Sequence, residues 1–151
     1  MNADRGVTTL QDKLRRCADG IVLYGLTPPR AQTPGERVAE IAATQIDRIR
    51  GLGIDGVVLY DLQDEADRTD QARPFPFMAT IDPGDYARDA LRALALPKII
   101  YRCVGKYPPA QFTALLRDAP SDLTVLVGPA SRRQQVALTM SDAHALRRSV
   151  R

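Results

Sequence analysis

Gly56-Val57-Val58-Leu59-Tyr60 is a continuous apolar run with no polar residue inside it. Three further largely apolar runs are Ile21-Val22-Leu23-Tyr24, Lys98-Ile99-Ile100-Tyr101-Arg102-Cys103-Val104 and Leu123-Thr124-Val125-Leu126-Val127. All are rich in β-branched residues, and none alternates cleanly with polar ones. That pattern predicts parallel strands covered on both faces.

Helical patterns lie between the strands. Thr33-Pro34-Gly35-Glu36 reads as a capping box, and Val38, Ile41, Ile46, Ile49 and Leu52 follow as an apolar stripe. Arg48 and Arg50 suit the last turn, and Gly51 or Gly53 can close it. A second helix opens at Asp82-Pro83-Gly84-Asp85 and buries Tyr86, Ala90, Leu91 and Leu94. A third starts near Pro108-Pro109 and buries Phe112, Leu115 and Leu116. A fourth starts at Thr139-Met140-Ser141-Asp142 and turns Ala143, Leu146 and Val150 inward. Ahead of the first strand, 9–18 forms a short helix with Leu10, Leu14 and Cys17 inward.

The order is one helix, then four strand–helix units. Two α/β architectures fit: a doubly wound open sheet, or a parallel (β/α)4 unit that is half of a TIM-type barrel, since a full barrel needs roughly 250 residues. The reading is one domain over residues 1–151, with residues 1–18 an N-terminal extension and helix.

Composition narrows the function classes. Hydrophobic residues make up 44% and charged residues 26%, which excludes disordered, collagen-like and disulfide-scaffold chains. No run of about 18 apolar residues exists, so no membrane span is expected. Residues 1–10 carry Asp4 and Arg5 and no apolar core, which speaks against a secretory signal. The net charge is +3. The arginines are scattered among acids rather than gathered with aromatics, so no nucleic-acid partner is expected. Five arginines against Asp142 in 132–151 read as a solvated helix face. Cys17 and Cys103 read as buried, reduced thiols of a cytoplasmic protein. His144 is the only histidine, which argues against a histidine metal site or a Ser-His-Asp triad.

In either architecture ligands bind at the carboxyl ends of the strands. Asp61, Asp64 and Glu65 follow the second strand, and three carboxylates this close serve as acid and base or simply pair with Arg68, Arg73 or Arg102. Tyr24, Tyr60 and Tyr101 sit near strand ends, where a phenol meets a ligand or packs in the core. The stiff loop Arg73-Pro74-Phe75-Pro76-Phe77 walls a ligand or packs over the mouth. Gly128-Pro129-Ala130-Ser131 offers backbone to a phosphate, without any GxGxxG or Walker pattern.

Four stretches together resemble an actinobacterial branch of the methylenetetrahydrofolate reductase family. They are Tyr24-Gly25-Leu26-Thr27-Pro28-Pro29-Arg30, 60–65, 73–77 and Tyr101-Arg102-Cys103-Val104-Gly105-Lys106-Tyr107. The resemblance spans Asp19 to about Arg148 and covers the first half of the family's barrel. It implies a flavoprotein oxidoreductase of one-carbon and methionine metabolism, with FAD as cofactor and a folate-like small molecule as substrate. It implies Tyr60, Tyr101, Arg102, Gly128 and Ser131 as cofactor contacts. The sequence also departs from the family. Gly25 stands where the family has an acid, Tyr101 or Arg102 where it has a histidine, and Val127 and Pro129 where it has arginine and aspartate. Asp61, Asp64 and Glu65 are the remaining candidate acids, and no metal is implied.

The alternatives are a non-catalytic ligand-binding or interaction module on the same scaffold, and a truncated fragment. A half-barrel also leaves two open sheet edges and an apolar inner face, to which Leu23, Leu59, Ile99 or Ile100, and Val125 or Leu126 would contribute. A homodimer closing eight strands would cover them. The opposing expectation is that helix 9–18 or loop 73–77 folds across the open side.

Overall fold

The computed structural model describes residues 9–62, 78–118, 123–128 and 136–150. In chain order the elements are α1 (Leu10–Arg15), β1 (Leu23–Leu26), α2 (Gly35–Ile49), β2 (Gly56–Leu59), α3 (Pro83–Asp85), β3 (Lys98–Cys103), α4 (Pro109–Asp118), β4 (Leu123–Val127) and α5 (Met140–Ser149). A π-helical turn over Tyr86–Ala90 extends α3, and a 3-10 turn over Val104–Lys106 follows β3. The four strands form one sheet in the order β1-β2-β3-β4, every neighbour parallel. A doubly wound sheet reverses its strand order at a switch point, and this one does not. The fold is the parallel (β/α)4 unit.

Register assigns the two faces. Leu26 pairs with Leu59, Leu59 with Ile100, and Ile100 with Thr124. Leu26, Val57, Leu59 and Ile100 join Ala42, Ile46 and Ile49 of α2 and Tyr86, Leu91 and Leu94 of the α3 segment in one core cluster. Further along, Val104, Tyr107, Phe112, Leu138 and Ala143 form a second cluster that joins α4 and α5, with Leu126 packed against it. These helices therefore cover one face, the outer one.

The inner face carries Gly25, Val58, Ile99, Tyr101 and Val125. Leu10 of α1 packs there on Val58 and Ile99. This contact explains Gly56, where an added Cβ would stand 2.9 Å from Leu10 Cδ2 and 2.9 Å from the Pro97 carbonyl oxygen.

Several expectations need correction. Leu23 lies on the inner face as expected, with Val58, Ile99 and Val125, whereas register puts Leu59, Ile100 and Leu126 on the helix side. Coverage on both faces holds for β2 and for Ile99 and Ile100 of β3, whereas β1 is largely exposed and β4 is half-buried to exposed. Leu14 is 42% exposed and Cys17 is exposed, so Leu10 is the buried apolar anchor of α1, with Lys13 paired to Asp55 beside it. The helix ends before Cys17, whose φ of +49° breaks it. Neither cysteine is in a disulfide, and Cys103 is buried as expected. Thr33 caps nothing: Pro34 holds the N-cap position of α2 without a side-chain hydrogen bond. Gly51, at φ +87°, turns the chain after α2, and Leu52 is exposed beyond it. The Asp82 cap and the Thr139–Asp142 capping box are both present. Among the described residues, no helix is long and apolar enough to cross a membrane.

Candidate functional site at the strand ends

The carboxyl ends of β2 and β3 carry two groups of side chains, one on each side of the sheet. On the outer side, Asp61 follows β2 and its side chain is almost wholly buried. Its Oδ1 accepts from Lys106 Nζ at 2.5 Å, and its Oδ2 accepts from the Cys103 backbone N–H at 2.9 Å. One carboxylate thus ties the end of β2 to the end of β3. Tyr107 Oη lies 3.2 Å from Asp61 Oδ2 and 3.1 Å from Asp82 Oδ2. A phenol has one proton, so it donates to one of these acids at a time. Arg102 Nη1 donates to Asp82 Oδ2 at 2.5 Å and to Tyr107 Oη at 3.2 Å. Asp82 also caps α3 through Gly84 N at 2.8 Å and Asp85 N at 3.1 Å.

The electrostatics follow from that geometry. Burial favours the neutral form of Asp82, but the hydrogen bond and charge of Arg102 outweigh it and hold the carboxyl below its usual range. Burial, then the Asp61 charge, pushes the Tyr107 phenol well above its usual value. The cluster is internally satisfied, and Lys106 is its most exposed member, at 27% of its side chain. As built, it sets the relative position of two strand ends rather than offering a free acid.

On the inner side, Tyr60 and Tyr101 meet edge to face, with ring centroids 5.3 Å apart and an 82° interplanar angle. Tyr60 keeps 39% of its surface exposed. A Cβ at Gly25 would lie 2.9 Å from Tyr60 Cε2 and 2.9 Å from its Oη. Glycine on β1 therefore makes room for the Tyr60 ring to lie across the inner face. Gly128 lies beside Cys103, whose Sγ is 3.6 Å from the Gly128 carbonyl oxygen. The rim is pinned by the chain after the long β2–α3 connection: Ala31 N–H donates to Ala79 O at 3.0 Å, and Ile81 N–H donates to Pro29 O at 2.9 Å.

The structure thus brings Tyr60 and Tyr101 together and keeps Arg102 apart from them, on the outer side. Tyr24 also lies on the outer side, paired with Val57. Asp64, Glu65, Ser131 and the 73–77 loop lie outside the described residues. Of the arginines offered as partners for the acids, Arg68 and Arg73 lie outside the described residues and Arg102 takes Asp82, while Asp61 takes Lys106. The roles of Asp82, Lys106 and Tyr107 were not read from the sequence. Asp82 showed only its cap pattern, and Lys106-Tyr107 entered only as the end of a stretch that carries the family resemblance. Among the described residues, no group of three or more His, Cys, Asp or Glu is placed to hold a metal ion.

Fold and site together define a parallel (β/α)4 unit with an exposed Tyr60 over Gly25, packed on a half-buried Tyr101, at its strand ends. No protein-family profile matches the chain. No curated protein matches it either. Among solved structures, the chain is similar to an uncharacterized protein from Clostridium thermocellum that binds two copies of 5-methyl-5,6,7,8-tetrahydrofolic acid. Identity is 41%, the TM-score is 0.76, and the match covers 93% of this chain. The chain spans 44% of the length of that protein.

Proposed function

We propose that this chain binds a reduced folate of the 5-methyltetrahydrofolate type on the inner side of its strand ends, as a binding module rather than a complete reductase. The observation that carries this reading is the likeness to a 5-methyltetrahydrofolate-binding protein at 41% identity over 93% of this chain. The site chemistry agrees. A pterin is flat and hydrogen-bonding, and Tyr60 and Tyr101 offer ring surface and phenol hydroxyls.

Four strands wall only half a ring. β1 and β4 are the ends of the sheet order, and Leu23 and Val125 on the inner face are partly exposed. A second copy closing eight strands would complete the pocket and cover those edges. Leu10 already covers the part of the inner face at Val58 and Ile99, so the copy would meet the strand-end half.

Flavin-linked reduction is the second reading, supported by the sequence resemblance. The described residues fit it less well. Arg102 is engaged by Asp82 and Tyr107 on the outer side, and the Tyr60 ring fills the space over Gly25, where an acid would have to project.

Calorimetric titration with 5-methyl-5,6,7,8-tetrahydrofolate tests the binding reading, with sedimentation of the same sample for the second copy. Saturable binding by a dimer is the expected result. No heat of binding at millimolar folate would overturn it. A flavin chromophore that copurifies with the protein would favour the reductase reading instead.

A further inference from the structure

The outer face has a gap in its helical layer. Between the α3 segment and α4, over β3 and β4, lies a cavity of about 270 Å3. Its apolar lining is Ile100, Phe112, Leu115 and Leu116. The gap has a local cause. The π-helical turn after α3 carries Tyr86, Ala87 and Leu91 into the core with α2, while α4 packs with α5 through Phe112 and Ala143. The two helices lean onto different clusters and leave Ile100 and Thr124 between them.

Charge around the cavity is unequal. Arg88, Arg92, Lys98 and Arg102 line it, with Asp85 and Asp118 as the acids. Arg102 is held by Asp82 and Tyr107. Arg88 is engaged by Asp85 and Asp89, and Lys98 donates to the carbonyls of Leu94 and Leu96. Arg92 has no hydrogen-bond or ion-pair partner among the described residues and stands exposed. An apolar lining with a free guanidinium at its edge fits one class of molecule: a small amphipathic anion, with a carboxylate on a compact aromatic or aliphatic body. The volume lies near the lower end for small-molecule sites, which limits the body to a compact one.

We propose that this cavity is a binding site for such a carboxylate, separate from the strand-end site, with Arg92 as the anion's partner. The two sites lie on opposite faces of the sheet, so each is testable without the other.

Amide chemical-shift mapping with 1-naphthoate as the probe tests this. The expected result is saturable shifts on 84–92 and 112–118. Arg92→Glu should weaken the probe roughly tenfold, the scale of one charge-assisted contact. Leu116→Trp, which fills the cavity, should abolish binding, and Tyr60→Ala should leave it unchanged. Shifts confined to Tyr60 and Tyr101, no saturation, or equal affinity in Arg92→Glu would each overturn the proposal. Arg92 is exposed, so its variant tests charge without testing folding.

Discussion

Leu59 and Tyr60 are neighbours in sequence and opposites in circumstance. Leu59 faces the helices and is fully buried, in a cluster that spans three strands and two helical segments. Tyr60 faces the inner side, keeps 39% of its surface, and touches Tyr101 and the space over Gly25. The helix side of the sheet is closed by packing over most of its area. The inner side is closed only where Leu10 of α1 reaches it, and its strand-end half is left to ligand or partner. Stability and recognition are thus divided between the two faces of one sheet.

Paired substitutions should separate the two most widely. Leu59→Ala removes a fully buried side chain and should cost about 3 kcal/mol of stability. Tyr60→Ala should cost about 1 kcal/mol, the scale of an exposed aromatic pair, yet remove folate binding. Urea unfolding beside a folate titration of both variants gives the four numbers. Equal stability losses would break the division between the faces.

A second expectation concerns pH, and its causes lie on the helix side. Asp82 has a folded-state pKa below its unfolded value, so the unfolded chain binds more protons there as pH falls. Its contribution is complete above the ordinary Asp range and is lost as pH drops through and below it. Tyr86 runs the other way: burial pushes its phenol up to about 12. Its contribution is complete below the ordinary tyrosine value of about 10 and is lost as pH rises from there towards 12. Urea midpoints against pH should therefore form a plateau that falls at both ends. Tyr107, whose phenol is also pushed up, adds to the alkaline fall, so Tyr86→Phe should remove only part of it, at the loss of the hydrogen bond to Gln45 Oε1 at 2.8 Å. An unchanged alkaline limb would show that other groups control it.

The fold was legible in the sequence because buried parallel strands and capped helices leave strong local patterns. Gly56–Leu59, the Asp82 cap and the Thr139–Asp142 box all read directly. Which face each strand residue takes was not legible, because a continuous apolar run has no period. Val58 and Leu59 look alike until register assigns one to Leu10 and the other to α2. The site was legible in part. Tyr60 and Tyr101 stood out as phenols at strand ends. The partners of Asp61 did not, since Lys106 lies 45 residues further along the chain and only the pairing of β2 with β3 brings them together. Gly25 read as a missing acid, whereas in three dimensions it is the space that the Tyr60 ring occupies.

Gly25→Ala should have the smallest effect on stability and an informative one on binding. The added methyl meets the end of an exposed ring that can swing aside, so stability should fall by less than about 1 kcal/mol. The Tyr60–Tyr101 geometry would change, and folate affinity should fall more than stability does. Melting and titration of one preparation check this. Unaltered affinity would remove Gly25 from the site.

The central claim is that the inner side of the strand ends binds a reduced folate. Amide-shift mapping with 5-methyl-5,6,7,8-tetrahydrofolate tests it most directly. The account predicts saturable shifts centred on Gly25, Tyr60 and Tyr101, absent in the Tyr60→Ala, Tyr101→Ala double variant. Shifts centred instead on Ala87 and Leu116 in the outer cavity, or no shifts at all, would contradict it.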